Sequence, residues 1–163
     1  MFRKMRREKQ LLSAQDTANV LNRCTNGILA CSGDAGYPYA VPLSYIYLNN
    51  KIYYHCGKQG HKMDAILNDA KVSFAVVDED TIVGPEYTSY FRSVIAFGRA
   101  RITSGQERYD AFYAMAEKYS GGQPEAEKIK QVTECEHAYV IAIDIDHLTG
   151  KEAIEFVRAK EHL

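Results

Sequence analysis

Tryptophan is absent from this 163-residue chain and proline occurs only four times. No apolar run approaches the roughly 20 residues that a membrane-spanning helix requires, so a helical membrane protein is not expected. The basic start, Arg3, Lys4, Arg6, Arg7 and Lys9, is not followed by the apolar core of an export signal, which points to the cytoplasm. A formal net charge of −1 argues against a bulk nucleic-acid binder, whose partner demands a basic face; the basic start reads as a solvated arm. Cys24, Cys31, Cys56 and Cys135 show no Cys-x-x-Cys spacing and no ligand-like pairing with histidine. Bound metal is therefore not expected, and free thiols in a reducing compartment are the simple account. There is no Gly-x-Gly-x-x-Gly, no nucleophile elbow and no paired carboxylates, which disfavours a Rossmann domain and a triad hydrolase.

What is present suits one globular domain with its own core, since 46% of residues are hydrophobic. Ser13 or Asp16 can cap a first helix, Ala14 to Cys24, which Asn26-Gly27 ends. Ile28 to Ser32 reads as a strand, followed by a turn at Gly33 to Gly36. A second strand runs from Tyr39 to Leu48 with Pro42 inside it. Proline has no N–H, so this position must be an edge, a bulge, or a place where a ligand replaces the neighbouring strand. Asn49-Asn50 turns the chain into a third strand, Lys51 to Cys56. A short helix, Lys62 to Asn68, and a fourth strand, Lys71 to Val77, follow. The acidic stretch Asp78 to Glu86, with Gly84-Pro85, reads as a solvated loop. Tyr90 to Ile102 is a long strand and Gln106 to Tyr119 an amphipathic helix. A charged, exposed helical stretch from Pro124 to Gln131 leads to a last strand, Ala138 to Ile145, and a polar tail from Lys151. Short strands with flanking helices describe a mainly β fold, a small closed or partly closed barrel.

The segment Tyr53-Tyr54-His55-Cys56-Gly57-Lys58-Gln59-Gly60-His61-Lys62 concentrates the chemistry. A strand breaks at Gly57 and, after a glycine-bounded loop, a helix begins. Unpaired N–H groups at a helix start favour a phosphate, and His61 and Lys62 add donors at the same point. A solvated hairpin-to-helix connection is the other reading of this turn.

Three blocks, Pro42 to Tyr47, Tyr54-His55 through Gly60-His61-Lys62, and the Tyr90 to Ala100 strand with Ser93, together resemble the FMN-binding split-barrel proteins related to pyridoxamine 5′-phosphate oxidase. Within that group the likeness is to the nitroimidazole-resistance family, and it runs from about Met5 to Lys151. The resemblance implies a single FMN-binding split-barrel domain acting as a homodimer, with FMN at the interface and both chains lining each site. It places Val41, Pro42, Leu43, Ser44 and Tyr45 beneath the flavin ring, where backbone groups freed near Pro42 would meet the ring's polar edge. Tyr54, His55, His61, Lys62 and Ser93 would serve the ribityl-phosphate. Many relatives carry Arg-Lys where this chain has His61-Lys62, and a histidine's charge there depends on its surroundings.

His55 is further implied as a catalytic residue, a proton donor or substrate orienter, although a lone strand histidine also serves as an ordinary structural residue. Cys56 reads as a small buried side chain rather than a nucleophile. Twelve tyrosines suit a dimer interface and a barrel core alike. Tyr87 and Tyr90 are candidates for covering the ring or the substrate. The expected function is an FMN-dependent oxidoreductase of nitroreductase type acting on a small molecule. The alternatives are a pyridoxamine 5′-phosphate oxidase-like enzyme and a non-enzymatic flavin- or haem-binding protein.

Overall fold

The computed structural model describes residues 1–161. Seven antiparallel strands form one sheet: β1 (Asn26–Ser32), β2 (Pro38–Ser44), β3 (Ile46–Leu48), β4 (Lys51–Gly57), β5 (Lys71–Val83), β6 (Thr88–Ile102) and β7 (Ala138–Glu152). Five α-helices flank it: α1 (Ala14–Arg23), α2 (His61–Asn68), α3 (Gly105–Ser120), α4 (Glu125–Glu134) and α5 (Ile154–Glu161). The fold is thus mainly β with flanking helices, as expected.

The strand order is β2-β1-β5-β6-β7-β4-β3, so the sheet's two edge strands are consecutive in the chain. Only Tyr45 separates them. One residue spans under about 4 Å, so the sheet must curl until its edges meet at Tyr45. The expected second strand is therefore two strands on opposite edges. Beyond Tyr45 the edges diverge, because β3 pairs β4 only from Lys51 to Tyr53. The barrel is split between β2 and the upper half of β4.

The barrel interior is filled by Leu29, Ile52, Tyr54, Phe74, Val76, Val94, Ile141 and Ile143, with Val20 and Leu21 of α1 and Met63 and Ile66 of α2. On the opposite face of β3, β4 and β7, Ile46, Tyr53, Val140 and Ala142 pack on Ala111 and Met115 of α3. Period-two alternation thus decides which β4 residue meets which layer. Among the described residues no helix covers the outer face of β1, β5 and β6, which exposes Ile28, Val77 and Ile95, and Phe97 beneath the Phe2 ring.

Several boundaries differ from the sequence expectation. The stretch 78–86 is not a solvated loop: β5 continues to Val83 after a register shift between Val77 and Glu79, and pairs with β6 from Thr88. Asp78 is held at this shift by Arg23, in two contacts, and by Arg92. Two arginines neutralise the carboxylate where composition alone suggested water. β7 runs seven residues past Ile145 because β6 offers a partner as far as Arg92, opposite Glu152. α4 is not merely exposed, since Lys128 and Val132 are buried. The polar tail forms α5 from Ile154, and its last two residues lie outside the described ones. The Asn49-Asn50 turn is as expected, with both residues left-handed at φ 51 and 59, the geometry that two-residue hairpins favour.

Candidate functional site

The split has two backbone walls. On β2, the bond from Gly33 N–H to the Tyr37 carbonyl (2.9 Å) fixes the alternation of the β1–β2 ladder. Tyr39, Val41 and Leu43 direct their amide groups to β1, while Pro38, Ala40, Pro42 and Ser44 direct theirs to the open edge. Both prolines therefore sit where a missing N–H costs no ladder bond. The side chains alternate in the same way. Those of Val41 and Leu43 pack on the barrel core, and Ala40, Pro42 and Ser44 are exposed.

On β4, Val140 stands opposite His55 and gives its carbonyl to Thr103 N–H (2.9 Å) on its other side. His55 thus has its own amide groups turned to the split, as does Gly57 two residues on. Ala40, Ser44, His55 and Gly57, with the Pro42 carbonyl, form two facing rows of unpaired backbone donors and acceptors. Such rows invite a planar ligand with a polar edge.

The closed end of the split is pinned from α3. The Tyr119 hydroxyl accepts from Tyr45 N–H (2.9 Å) and can donate to the carbonyl of Thr25 (2.5 Å) or Tyr45 (2.7 Å). Lys118 Nζ donates to the Cys24 carbonyl (2.6 Å) and lies 4.7 Å from the Tyr45 ring centroid. Burial holds the Lys118 ammonium below the usual lysine range. Tyr45, fully buried, sends its own hydroxyl to the Leu21 carbonyl (2.8 Å). It acts as the hinge of the barrel, with its ring in the core.

The open end leads to the basic turn. Gly60 adopts φ +116, which favours glycine. Its carbonyl takes the N–H groups of Met63 (2.8 Å) and Asp64 (3.1 Å), so the amides of His61 and Lys62 have no backbone acceptor among the described residues. Lys62 Nζ lies 5.5 Å from the Tyr54 ring centroid. Burial pushes the Cys31 and Cys56 thiols up while the Lys62 ammonium pulls them down. Cys56 is 8% exposed and contacts Met63 Sδ at 3.4 Å, a buried thiol as expected.

His61 is already engaged. Its ring lies on that of Tyr39 (centroids 4.1 Å) and its Nε2 is 3.6 Å from Asp34 Oδ2. Tyr54 points into the barrel, fully buried, with a hydroxyl that has no partner among the described residues, so only its backbone borders the turn. Ser93 lies on the bare outer face of β6, opposite Val77 and Lys151, two strands from β4. Tyr87 stands exposed at the β5–β6 tip. Tyr90 is tied to Glu86 (2.9 Å) and to Phe156 of α5. Within one chain the structure thus gathers Pro42, Ser44, His55, His61 and Lys62 around the split and leaves Ser93 apart.

His55 faces the α3 layer, the side opposite Tyr54. It shares a cleft of about 470 Å³ with Ser44, Phe112, Tyr119, Gln131 and His137. Its ring centroid is 5.5 Å from that of Phe112. Burial, the Lys62 ammonium and His137 together hold its pKa below the ordinary histidine value. Sequence reasoning missed Ala40, Tyr119 and the α3–α4 wall of this cleft. Ala40 was legible from parity with Pro42, whereas nothing local marks Tyr119 or His137. Among the described residues, no group of three or more His, Cys, Asp or Glu side chains is placed to hold a metal ion. No helix among them is long and apolar enough to cross a membrane.

Comparison with known proteins agrees with this architecture. A candidate 5-nitroimidazole antibiotic resistance protein from Bacteroides thetaiotaomicron superposes with a TM-score of 0.70 at 18% identity, covering 87% of this chain and 86% of that one. A conserved hypothetical protein from Mycobacterium tuberculosis gives 0.78 at 21%, covering 91% and 90%. A FAD-binding protein from Mesorhizobium loti gives 0.64 at 24%, covering 88% and 97%. At these identities the likeness shows a common fold. No curated protein matches the chain. A family model described as pyridoxamine 5′-phosphate oxidase matches residues 13–152, nearly the whole chain, which therefore belongs to that family.

Proposed function

We propose that this chain is a flavin-dependent oxidoreductase, holding FMN along the split between β2 and β4 and acting in the cytoplasm on a small acceptor such as a nitroheterocycle. The observation that carries the reading is the continuity of the split with the basic turn. A row of unpaired amides for a ring's polar edge ends at two free helix amides and an ammonium for a phosphate. The donor set fits the cofactor, and the flavin binding named for a structural neighbour supports the reading. When bound, the flavin would supply the reversible electron transfer, and the protein would hold and tune it.

The chain's own residues take distinct parts. Lys62 and the His61 and Lys62 amides would grip the phosphate, while the His61 ring, paired with Asp34, adds donors only if that pair opens. Ala40, Pro42 and Ser44 would orient the ring, with Tyr45 and Tyr119 fixing the wall they stand on. His55, its pKa held below the ordinary histidine value, suits a hydrogen-bond donor to substrate through one ring nitrogen. The exposed apolar residues Ile28, Val77 and Ile95, beside Phe97 under the Phe2 ring, support a homodimer, in which Ser93 could serve the assembly.

A pyridoxamine 5′-phosphate oxidase-like activity is less well supported, because it needs a second cationic grip. Lys160 is already bound to Glu152 (2.7 Å) and Lys151 lies over the Phe91 ring, which leaves Arg158, exposed on α5, as a single cation rather than a cluster. The test is a holoprotein whose flavin absorbance bleaches with a reduced nicotinamide and returns with a nitro compound. His55→Ala should keep bound FMN but lose about 10²-fold or more in that return, the usual worth of a positioned hydrogen-bond donor aimed at charge that develops during reaction. Flavin that never bleaches would instead mark a non-enzymatic binding protein.

A further inference from the structure

A side chain crosses the open end of the split. The His61 ring leaves the start of α2 and packs on the β1–β2 side, against Tyr39, with ring centroids 4.1 Å apart, and against the backbone of Gly33. A Cβ on Gly33 would stand 3.4 Å from His61 Nε2, so this glycine makes room for the ring. Asp34 Oδ2 lies 3.6 Å from the same nitrogen. The turn that carries Asp34 is closed by two bonds, Gly33 N–H to the Tyr37 carbonyl (2.9 Å) and Tyr37 N–H to the Asp34 carbonyl (3.0 Å). Ala35 and Gly36 within it are left-handed, at φ 54 and 79. A closed turn on one wall thus presents a carboxylate to a ring that comes from the other. The chain itself joins the two walls through Tyr45 at the closed end, and His61 joins them at the open one.

We propose that Asp34 is a positioning residue that, with Tyr39, holds His61 as a strap across the open end, and that this strap selects a flavin mononucleotide over a dinucleotide. The inference rests on the flavin reading for what lies in the split, and on these contacts alone for where that ligand must end. The first argument is room. A phosphate gripped by the α2 amides and Lys62 lies just inside the strap, and any group joined beyond it must pass the His61 ring. The second argument is charge. A second phosphate would emerge beside the Asp34 carboxylate, and like charges at close range oppose binding. Two other lysines border this end, and both serve other surfaces. Lys58 stands 5.5 Å from the Tyr139 ring centroid. Lys71 shares a hollow with Ala30, Ser32 and Phe97 on the outer face of the sheet, whereas the Tyr39 ring that carries His61 packs on the barrel core. On this account the His61 ring closes the site behind the phosphate and does not grip it.

Calorimetric titration of FMN and of FAD into the cofactor-free full chain tests the selection. FMN should bind at least about tenfold more tightly than FAD. His61→Ala keeps the α2 amide and removes the strap, so it should leave FMN affinity within about threefold and raise FAD affinity about fivefold or more. Asp34→Asn, at an exposed position, should raise FAD affinity about twofold or more, and Asp34→Glu should restore the parent ratio. Thiol labelling reads the strap without any flavin. Cys31 and Cys56 are buried beneath the α2 turn, where the Lys62 ammonium acts on both. In His61→Ala, N-ethylmaleimide should label Cys56 about threefold faster or more, as local opening of the turn requires, with Cys24 and Cys135 unchanged when each peptide is read by mass spectrometry. Equal affinity of the parent chain for the two flavins would overturn the proposal. So would an equal loss of both flavins in His61→Ala, an unchanged Cys56 rate, or faster labelling of all four thiols, which marks general unfolding. A chain that binds neither flavin yet shows the Cys56 change keeps the strap and loses the flavin reading.

Discussion

Tyr119→Phe removes a single oxygen, and the structure says what that oxygen does. It accepts from the Tyr45 N–H and donates to the carbonyl of Thr25 or Tyr45. Thr25 is exposed, so its carbonyl can turn to water. Tyr45 is fully buried, so its N–H loses its acceptor outright. A buried group left unpaired costs about 1–3 kcal/mol. Tyr119 is itself 40% exposed, so water can reach part of the gap, and we expect the lower half of that range, about 1–2 kcal/mol. For a chain of this length that corresponds to a fall in Tm of about 2–8 °C. Thermal unfolding followed by circular dichroism reads it directly. Lys118→Met tests the coupling, since Lys118 Nζ also reaches the Tyr45 carbonyl at 3.3 Å, and the two changes should not add. A Tm within about 1 °C of the parent would mean that the hydroxyl does not hold the barrel's hinge.

Three other outcomes follow from particular contacts. Gly98→Ala would place a methyl 2.3 Å from the Asp144 carbonyl oxygen, a backbone atom, so it should destabilise by about 1–3 kcal/mol in urea unfolding. By NMR, His55 should titrate below the ordinary histidine value, and His137→Gln should raise its midpoint by removing one of the three causes; an unchanged midpoint would detach His137 from the cleft. On acidification, Arg101 holds the Glu107 carboxyl down to about 2, and Arg23 holds Asp78 below the carboxylate range. The unfolded chain therefore binds more protons, and the stability these groups confer is complete above their unfolded values and lost as pH falls from about 4.5 toward about 2. Added salt should flatten the Glu107 share, which is partly exposed, more than the Asp78 share, and Asp78→Asn should remove the latter.

Much of the fold was legible because its signals are local. Pro42 on an edge strand, the Asn49-Asn50 turn, the glycine-bounded entry to α2 and the apolar stripe of α3 each follow from a few neighbouring residues. What was not legible depends on distant partners. Asp78 to Val83 reads as an acidic loop until Arg23 and Arg92, far away in sequence, neutralise its first carboxylate. The break at Tyr45 carries no turn residue, since the chain stays extended and only changes neighbours. For the site, parity around Pro42 could have kept Ser44, added Ala40 and turned Val41 and Leu43 inward. Parity on β4 could likewise have set Tyr54 and His55 on opposite faces. The α3–α4 wall of the cleft could not be read, because Phe112 and Val132 look like ordinary core residues of amphipathic helices.

The central claim is that a flavin phosphate ends at the α2 turn, and an FMN titration of the cofactor-free chain followed by quenching of flavin fluorescence tests it most directly. The parent chain should bind FMN saturably. Lys62→Ala should weaken that binding by about 1.5–3 kcal/mol, the worth of a hydrogen bond to a charged group. Flavin fluorescence that never quenches, or an affinity indifferent to Lys62, would contradict the account.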